Sequence, residues 1–341
     1  MSLIPLQLPP GVYRNGTDFE GSNRWRDSNL VRWHDSSMRP VGGWTERTTT
    51  GATISGTCRG MLGWVDNSDN SNLAIGTNTN LYYVSESGVA SDITPTGFTT
   101  GDANATVNTG FGGNYYGTAN FGQTRPSSGV YQEVTTWSLD NWGEYLIAMT
   151  PDDGKIYEWQ LNPSNSASAV TNAPVDNRAM VVTEERFIFA LGAGGNPRKV
   201  QWCDRESNTD WTPTATNEAG DFELQTTGAI MGGVRMRGRT LIVTDNDAHI
   251  ATYQGPPFVY GFERVGTACG TASRKSIIAI DEGAFWMGRR EFYMFDGSVA
   301  KEVPCEVSDY VFDDINEDQI TKVYAVHNSQ FGEIWWFYPS A

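Results

Sequence analysis

The sequence predicts an all-β, β-propeller-like fold of four-stranded antiparallel blades, with an extended N-terminal arm and an inserted loop. Three observations lead there: a composition suited to short strands and turns, a hairpin pattern that recurs, and a spacing between hairpins that fits one blade each.

Composition comes first. Of 341 residues, 12% are aromatic, including 12 Trp, and 37 are Gly, so strand formers and turn formers are both abundant. Aromatic and β-branched side chains fit a pleated, half-buried surface. Gly, Asn and Asp supply turn geometry, whereas long helices draw on more Ala, Leu, Glu and Lys than this chain offers.

The hairpins follow in order. Leu73–Thr77 turns into Leu81–Val84, and Tyr145–Met149 turns through Pro151-Asp-Asp-Gly154 into Ile156–Trp159. Phe187–Leu191 leads through a Gly-rich turn to Lys199–Trp202, and Leu241–Thr244 through Asp245-Asn-Asp247 to His249–Tyr253. Ala284–Met287 leads through Gly288-Arg-Arg290 to Glu291–Phe295. Each is two β-rich runs separated by a few turn residues. The second strands begin near residues 81, 156, 200, 250 and 292, so all gaps after the first are 42–50 residues. That is the length of one propeller blade.

The domain plan is therefore residues 1–50 as an extended arm with the first strands, and residues 51–341 as the propeller. The long first gap contains a Gly- and Asn-rich stretch, about residues 94–128, read as a loop insertion; a stretch of that length without strand patterning is functional or disordered. The segment Glu333-Ile-Trp-Trp-Phe-Tyr338 is an apolar strand that wants pairing partners, so the ring is expected to be incomplete at Ala341 and to close with further sequence.

Charge narrows the function. The formal net charge is −16, with 40 acidic and 24 basic residues. This argues against a protein that coats nucleic acid, which needs clustered Lys and Arg on phosphates, but allows DNA to pass a wall without adhering. Residues 1–47 hold six Arg against five acids, so the negative charge lies beyond the arm. The cysteines (Cys58, Cys203, Cys269, Cys305) and histidines (His34, His249, His327) are dispersed, which fits neither a zinc site nor a disulfide framework. No cofactor or metal is expected. The N-terminus lacks a basic, apolar leader and no run is long enough to span a membrane, so synthesis and folding in a cytoplasm are expected.

The arm carries the most telling residues. Leu8-Pro-Pro-Gly-Val-Tyr-Arg-Asn-Gly16, Arg24-Trp25, Asn29-Leu-Val-Arg-Trp33 and Met38-Arg-Pro-Val-Gly-Gly-Trp44 resemble the start of the tail nozzle, tail hub or packaged-DNA stabilisation proteins of short-tailed bacteriophages. Trp202-Cys-Asp204, Asp210-Trp-Thr-Pro213, Asn217-Glu-Ala-Gly-Asp221 and Tyr253-Gln-Gly-Pro-Pro257 with Phe262 extend the resemblance. It implies a virion structural protein made in the host bacterial cytoplasm. It further implies a homo-oligomeric ring, a hexamer, lying below the portal and its adaptor protein. Such a ring contacts tail spike, fibre or needle proteins and conducts and retains packaged double-stranded DNA without specific binding. An acidic lumen would repel phosphate and ease ejection.

Candidate interface residues in the arm are Arg24, Trp25, Arg32, Trp33, Arg39 and Trp44, since Trp and Arg are enriched at interface hot spots. They are expected to dock on a neighbouring subunit or the adaptor, or else to pack the first blade. Tyr115, Tyr116 and Phe121 in the insertion are candidates for a lumen or tail-tip loop. The same residues support an alternative, a carbohydrate- or receptor-binding tail propeller that stacks sugars on exposed aromatics.

Enzymatic motifs are not found, and the chain is expected not to be an enzyme. Ser207-Asn-Thr-Asp-Trp211 lacks the Gly and spacing of a sialidase-type Asp-box. The acidic runs Asp313-Asp314 and Glu317-Asp318 read as a solvated turn rather than as the facing carboxylates of glycoside hydrolysis. Asp152-Asp-Gly154 and Asp245-Asn-Asp247 read as hairpin turns, not calcium loops. The Gly194-Gly195 turn lacks the pattern of a phosphate cradle. His249 reads as a packed strand residue, and no Gly-x-Ser-x-Gly or Cys–His arrangement occurs.

Overall fold

The computed structural model describes residues 8–34, 36–106 and 132–341. Among the described residues the arm's regular element is a hairpin, β1 (Val31–His34) and β2 (Ser37–Pro40), and the chain then enters six successive sheets, antiparallel but for one short edge strand.

Blade 1 comprises β3 (Thr50–Gly51), β4 (Cys58–Val65), β5 (Ser71–Thr77), β6 (Leu81–Val84) and β7 (Val89–Asp92); the short β3 adds parallel to β7 on the outer edge. Blade 2 comprises β8 (Ser138–Trp142), β9 (Tyr145–Met149), β10 (Ile156–Trp159) and β11 (Ser168–Ala169). Blade 3 comprises β12 (Ala179–Val182), β13 (Ile188–Leu191), β14 (Lys199–Trp202) and β15 (Gly220–Glu223). Blade 4 comprises β16 (Ile230–Met236), β17 (Arg239–Thr244), β18 (Asp247–Gly255) and β19 (Val259–Thr267). Blade 5 comprises β20 (Ile277–Ile280), β21 (Gly283–Met287), β22 (Phe292–Phe295) and β23 (Ala300–Val303). A short helix, α1 (Ser308–Asp314), and a 3-10 turn (Glu317–Lys322) lead to a two-stranded sixth sheet, β24 (Tyr324–Asn328) and β25 (Glu333–Phe337).

This is the β-propeller-like architecture that the sequence predicts. The five predicted hairpins are the middle strand pairs of blades 1 to 5. The innermost strands, β4, β8, β12, β16, β20 and β24, stand next to one another in that order. They surround a common axis, because residues of all six line one central cavity.

Turn chemistry and packing explain why the sequence folds this way. Thr77, Thr150 and Thr244 stand at or just after the second strand of blades 1, 2 and 4. Their Oγ1 atoms accept the backbone N–H of Asn80 at 2.9 Å, Asp152 at 3.2 Å and Asp247 at 2.8 Å. These side chains occupy turn donors that a strand would otherwise leave unpaired. Apolar clusters then fill the gaps between blades. Trp64, Leu146 and Tyr157 join blades 1 and 2; Met149, Val182 and Trp211 join 2 and 3; Phe189, Trp202 and Tyr260 join 3 and 4; Val243, Trp286 and Phe295 join 4 and 5; Met287, Phe292 and Val323 join 5 to the last sheet. Buried indoles in these clusters also find acceptors: Trp202 Nε1 donates to the Glu218 carbonyl at 2.8 Å and Trp286 Nε1 to that of Cys269 at 2.6 Å. Aromatic bulk is thereby buried without an orphaned donor.

The insertion leaves blade 1 after β7 and returns before β8. Its return residue, Trp137, is fully buried, donates to the Thr77 carbonyl at 2.7 Å and stacks on Phe98 with ring centroids 5.4 Å apart.

The acidic runs are largely solvated, as expected: Asp313, Glu317 and Asp318 are exposed, with Asp313-Asp314 ending α1 and Glu317-Asp318 opening the 3-10 turn. The neighbouring Ile315 and Ile320 are buried against Phe292 and Val323, which fixes the segment, and Asp314 Oδ2 accepts the Tyr338 hydroxyl at 3.1 Å.

Candidate functional site

The propeller axis holds a cavity of about 310 Å³ whose wall mixes apolar side chains with Ser138, Tyr324 and a cluster of charges: Asp140 on β8, Arg235 on β16, and Arg274 and Lys275 just before β20. Asp140 Oδ2 accepts the backbone N–H of Val182 on β12 at 3.0 Å, and its Oδ1 lies 3.7 Å from Arg235 Nη2. One carboxylate thus ties blade 2 to blades 3 and 4. Burial raises the Asp140 pKa above the carboxylate norm, with Arg235 the largest opposing influence. Lys275 is pushed down to about 8 by burial, against the pull of Asp140. Arg274 is buried and ion-paired with Glu133 at the end of the insertion. Tyr324 on β24 and Met61 on β4 line this cavity side by side with the charged cluster.

Burial thus disfavours the charged forms of a carboxyl and an amine that line the same cavity. Opposed shifts of this kind mark sites that exchange protons or hold charged ligands. Sequence reading missed all four residues. They come from three separate segments, around Asp140, Arg235 and Arg274-Lys275, and only the arrangement of the sheets around an axis brings them together.

The predicted interface residues are distributed along the arm, and several meet the same chain. Arg24 pairs with Glu306, and its neighbour Trp25 bridges Val12. Arg32 lies 3.7 Å from Glu333 with its guanidinium 3.5 Å above the Phe331 ring. Trp33 lines a cleft between the arm and β25, and Arg39 is exposed on β2 opposite Arg32. Trp44 is 85% exposed and meets Trp335 edge-on at 6.4 Å. Sequence reading overlooked Arg14 and Asn15, which fasten the arm. Arg14 stacks 3.8 Å over Tyr310, and Asn15 Nδ2 donates to the Cys305 carbonyl at 2.7 Å and to Ser308 Oγ at 3.1 Å. Tyr115, Tyr116 and Phe121 lie outside the described residues.

His249 has a partner that the sequence did not reveal. Its Nε2 is 3.1 Å from Asp247 Oδ1, and both side chains are almost fully buried. Burial lowers the imidazole pKa despite the adjacent carboxylate, while Asp247 Oδ1 accepts the Thr226 and Thr244 hydroxyls at 2.8 and 2.6 Å. The group secures the blade 4 turn.

No family model matches this sequence, and no curated protein matches it. Among solved structures the fold is similar to virginiamycin B lyase from Staphylococcus aureus, with 8% identity, 81% of this chain and 76% of that one covered, and a TM-score of 0.45. It is also similar to the extracellular domain of a putative hybrid two-component system from B. thetaiotaomicron, at 10% identity, covering 87% of this chain and 39% of that one, TM-score 0.43. An α-L-arabinanase from Penicillium chrysogenum matches at 8% identity over 73% and 82% of the two chains, TM-score 0.36. Likeness at this level bears on the fold alone. The expectation that the chain is not an enzyme is not kept: it leaned on fold, and solved structures similar in fold include a lyase.

Proposed function

We propose that this chain is a structural component of a short phage tail, forming a ring of identical subunits below the portal and its adaptor, through which packaged DNA is retained and then conducted. The observation that carries this reading is the arm. The arm that carries the segments resembling tail nozzle proteins touches α1 and the sixth sheet and leaves Phe19 (88% exposed), Leu30 (71%), Met38 and Trp44 in solvent. Exposed apolar residues gathered in one segment mark a surface that meets a partner. A neighbouring subunit is the partner this proposal names, with the adaptor above and spike, fibre or needle proteins below. The net charge of −16 supports the DNA role, because an acidic wall lets phosphates pass without adhering.

Light scattering on purified chain, alone and with the portal and adaptor, tests the proposal. Ring-sized assemblies are expected for the natural sequence, and Phe19→Ser with Trp44→Ser should abolish them while leaving the circular dichroism spectrum unchanged. A chain that stays monomeric with both partners present would refute it.

A further inference from the structure

Apolar clusters fill the junctions from blade 1 through to the sixth sheet. The remaining junction, where β24 meets β4, holds a cavity of about 520 Å³ instead. Its floor is apolar, from Met61, Val323, Val326 and Phe337, and its charged lining is wholly basic: Arg59, Lys275 and Lys322. No Asp or Glu lines it among the described residues, in a chain where acids outnumber bases 40 to 24.

The cations there are incompletely answered. Arg59 donates through Nη2 to the Ala103 carbonyl, but its Nε is buried without a hydrogen-bond partner among the described residues. Lys322 Nζ has a neutral acceptor, Asn104 Oδ1, at 2.7 Å. Thr136, only 5% exposed, lines the same cavity with its hydroxyl also unpartnered. Arg59 and Lys322 are close enough that the guanidinium helps depress the lysine pKa, after burial. Like charges and unsatisfied donors held together without a counter-charge are costly unless an anion joins them.

We propose that this junction is a binding site for a small amphipathic organic anion, with a phosphate or carboxylate head between Arg59 and Lys322 and an aromatic or aliphatic body on Met61, Val326 and Phe337. The volume is that of a small-molecule pocket with apolar walls and a few converging polar groups, and an inorganic ion would leave those walls bare. The site stands independently of the tail-ring reading, since it needs neither a second subunit nor DNA.

Isothermal titration of the full chain with 1-naphthyl phosphate tests this. One site per chain is expected, with inorganic phosphate and uncharged 1-naphthol each weaker by about tenfold or more, the scale of one charge-assisted hydrogen bond or more. Arg59→Gln and Lys322→Gln should each weaken the phosphate ester by a similar factor. Lys322 is on the surface side of the site, so its variant serves if Arg59→Gln fails to fold, and the ligand comparison on the natural chain needs no variant at all. Equal affinity for 1-naphthol, unchanged binding in Lys322→Gln, or no binding at millimolar ester would overturn the proposal.

Discussion

Lys275 lines both the axial cavity and the junction cavity, and its protonation is set by what faces it: Asp140 and Arg235 across the axis, the Arg274–Glu133 pair beside it, and Tyr324 from β24. In the unfolded chain its amine has the ordinary value of 10.5, and folding lowers it to about 8. A lysine with a depressed folded pKa destabilises the native state while protonated, and that penalty fades as pH climbs from the folded value towards the unfolded one. The stability of the natural chain relative to Lys275→Met should therefore rise between about pH 8 and about pH 10.5, read from urea midpoints at each pH. A difference that stays flat would show that the amine is not perturbed. None of this was legible in the sequence. Asp140 and Lys275 lie in different blades, and no local spacing connects them.

At the scale of the strand, the sequence announced the middle of each blade and little else. Pairs such as Tyr145–Met149 with Ile156–Trp159 combine apolar runs with turn residues between them, and those are the signals a hairpin gives. Inner strands such as Ala179–Val182 are buried throughout, so they show no alternation. Outer strands such as Ser168–Ala169 and Ala300–Val303 are short and solvated, and they pair only because a neighbour already stands in place. The insertion was visible as a break in spacing, but its anchor was not: Trp137 lies against Gly60 of β4 and Gly76 of β5, where any Cβ would overlap its side chain. Gly76→Ala should cost about 1–3 kcal/mol through overpacking, measured as a shift in the urea midpoint at unchanged slope. Gly42, which has open space around it, should tolerate the same change.

Across the whole molecule, the ring is uniform for five blades and different at its last sheet. β25 hydrogen-bonds to β24 on one side only, and on the other it meets the arm through side chains: Arg32 at Glu333 and Trp44 at Trp335, beside a cleft of about 530 Å³. Backbone groups on an unpaired edge are the first to open. Amides of Glu333–Phe337 should accordingly exchange with deuterium well before those of Leu241–Val243, which are buried inside blade 4. Equal protection of the two strands would contradict this view of the sixth sheet. The sequence did foretell an unusual C-terminal strand, yet it gave no hint that residues near the other end of the chain would lie against it.

The junction between β24 and β4 has a mechanical meaning as well. Five junctions between successive sheets are filled by apolar side chains, whereas the one between β24 and β4 surrounds a basic hollow, with polar contacts such as Gln319 with Ala105 nearby. A ring built that way behaves as a clasp. A load that widened it would work first on the junction without a hydrophobic filling, where the anion proposed for the hollow would act as a pin.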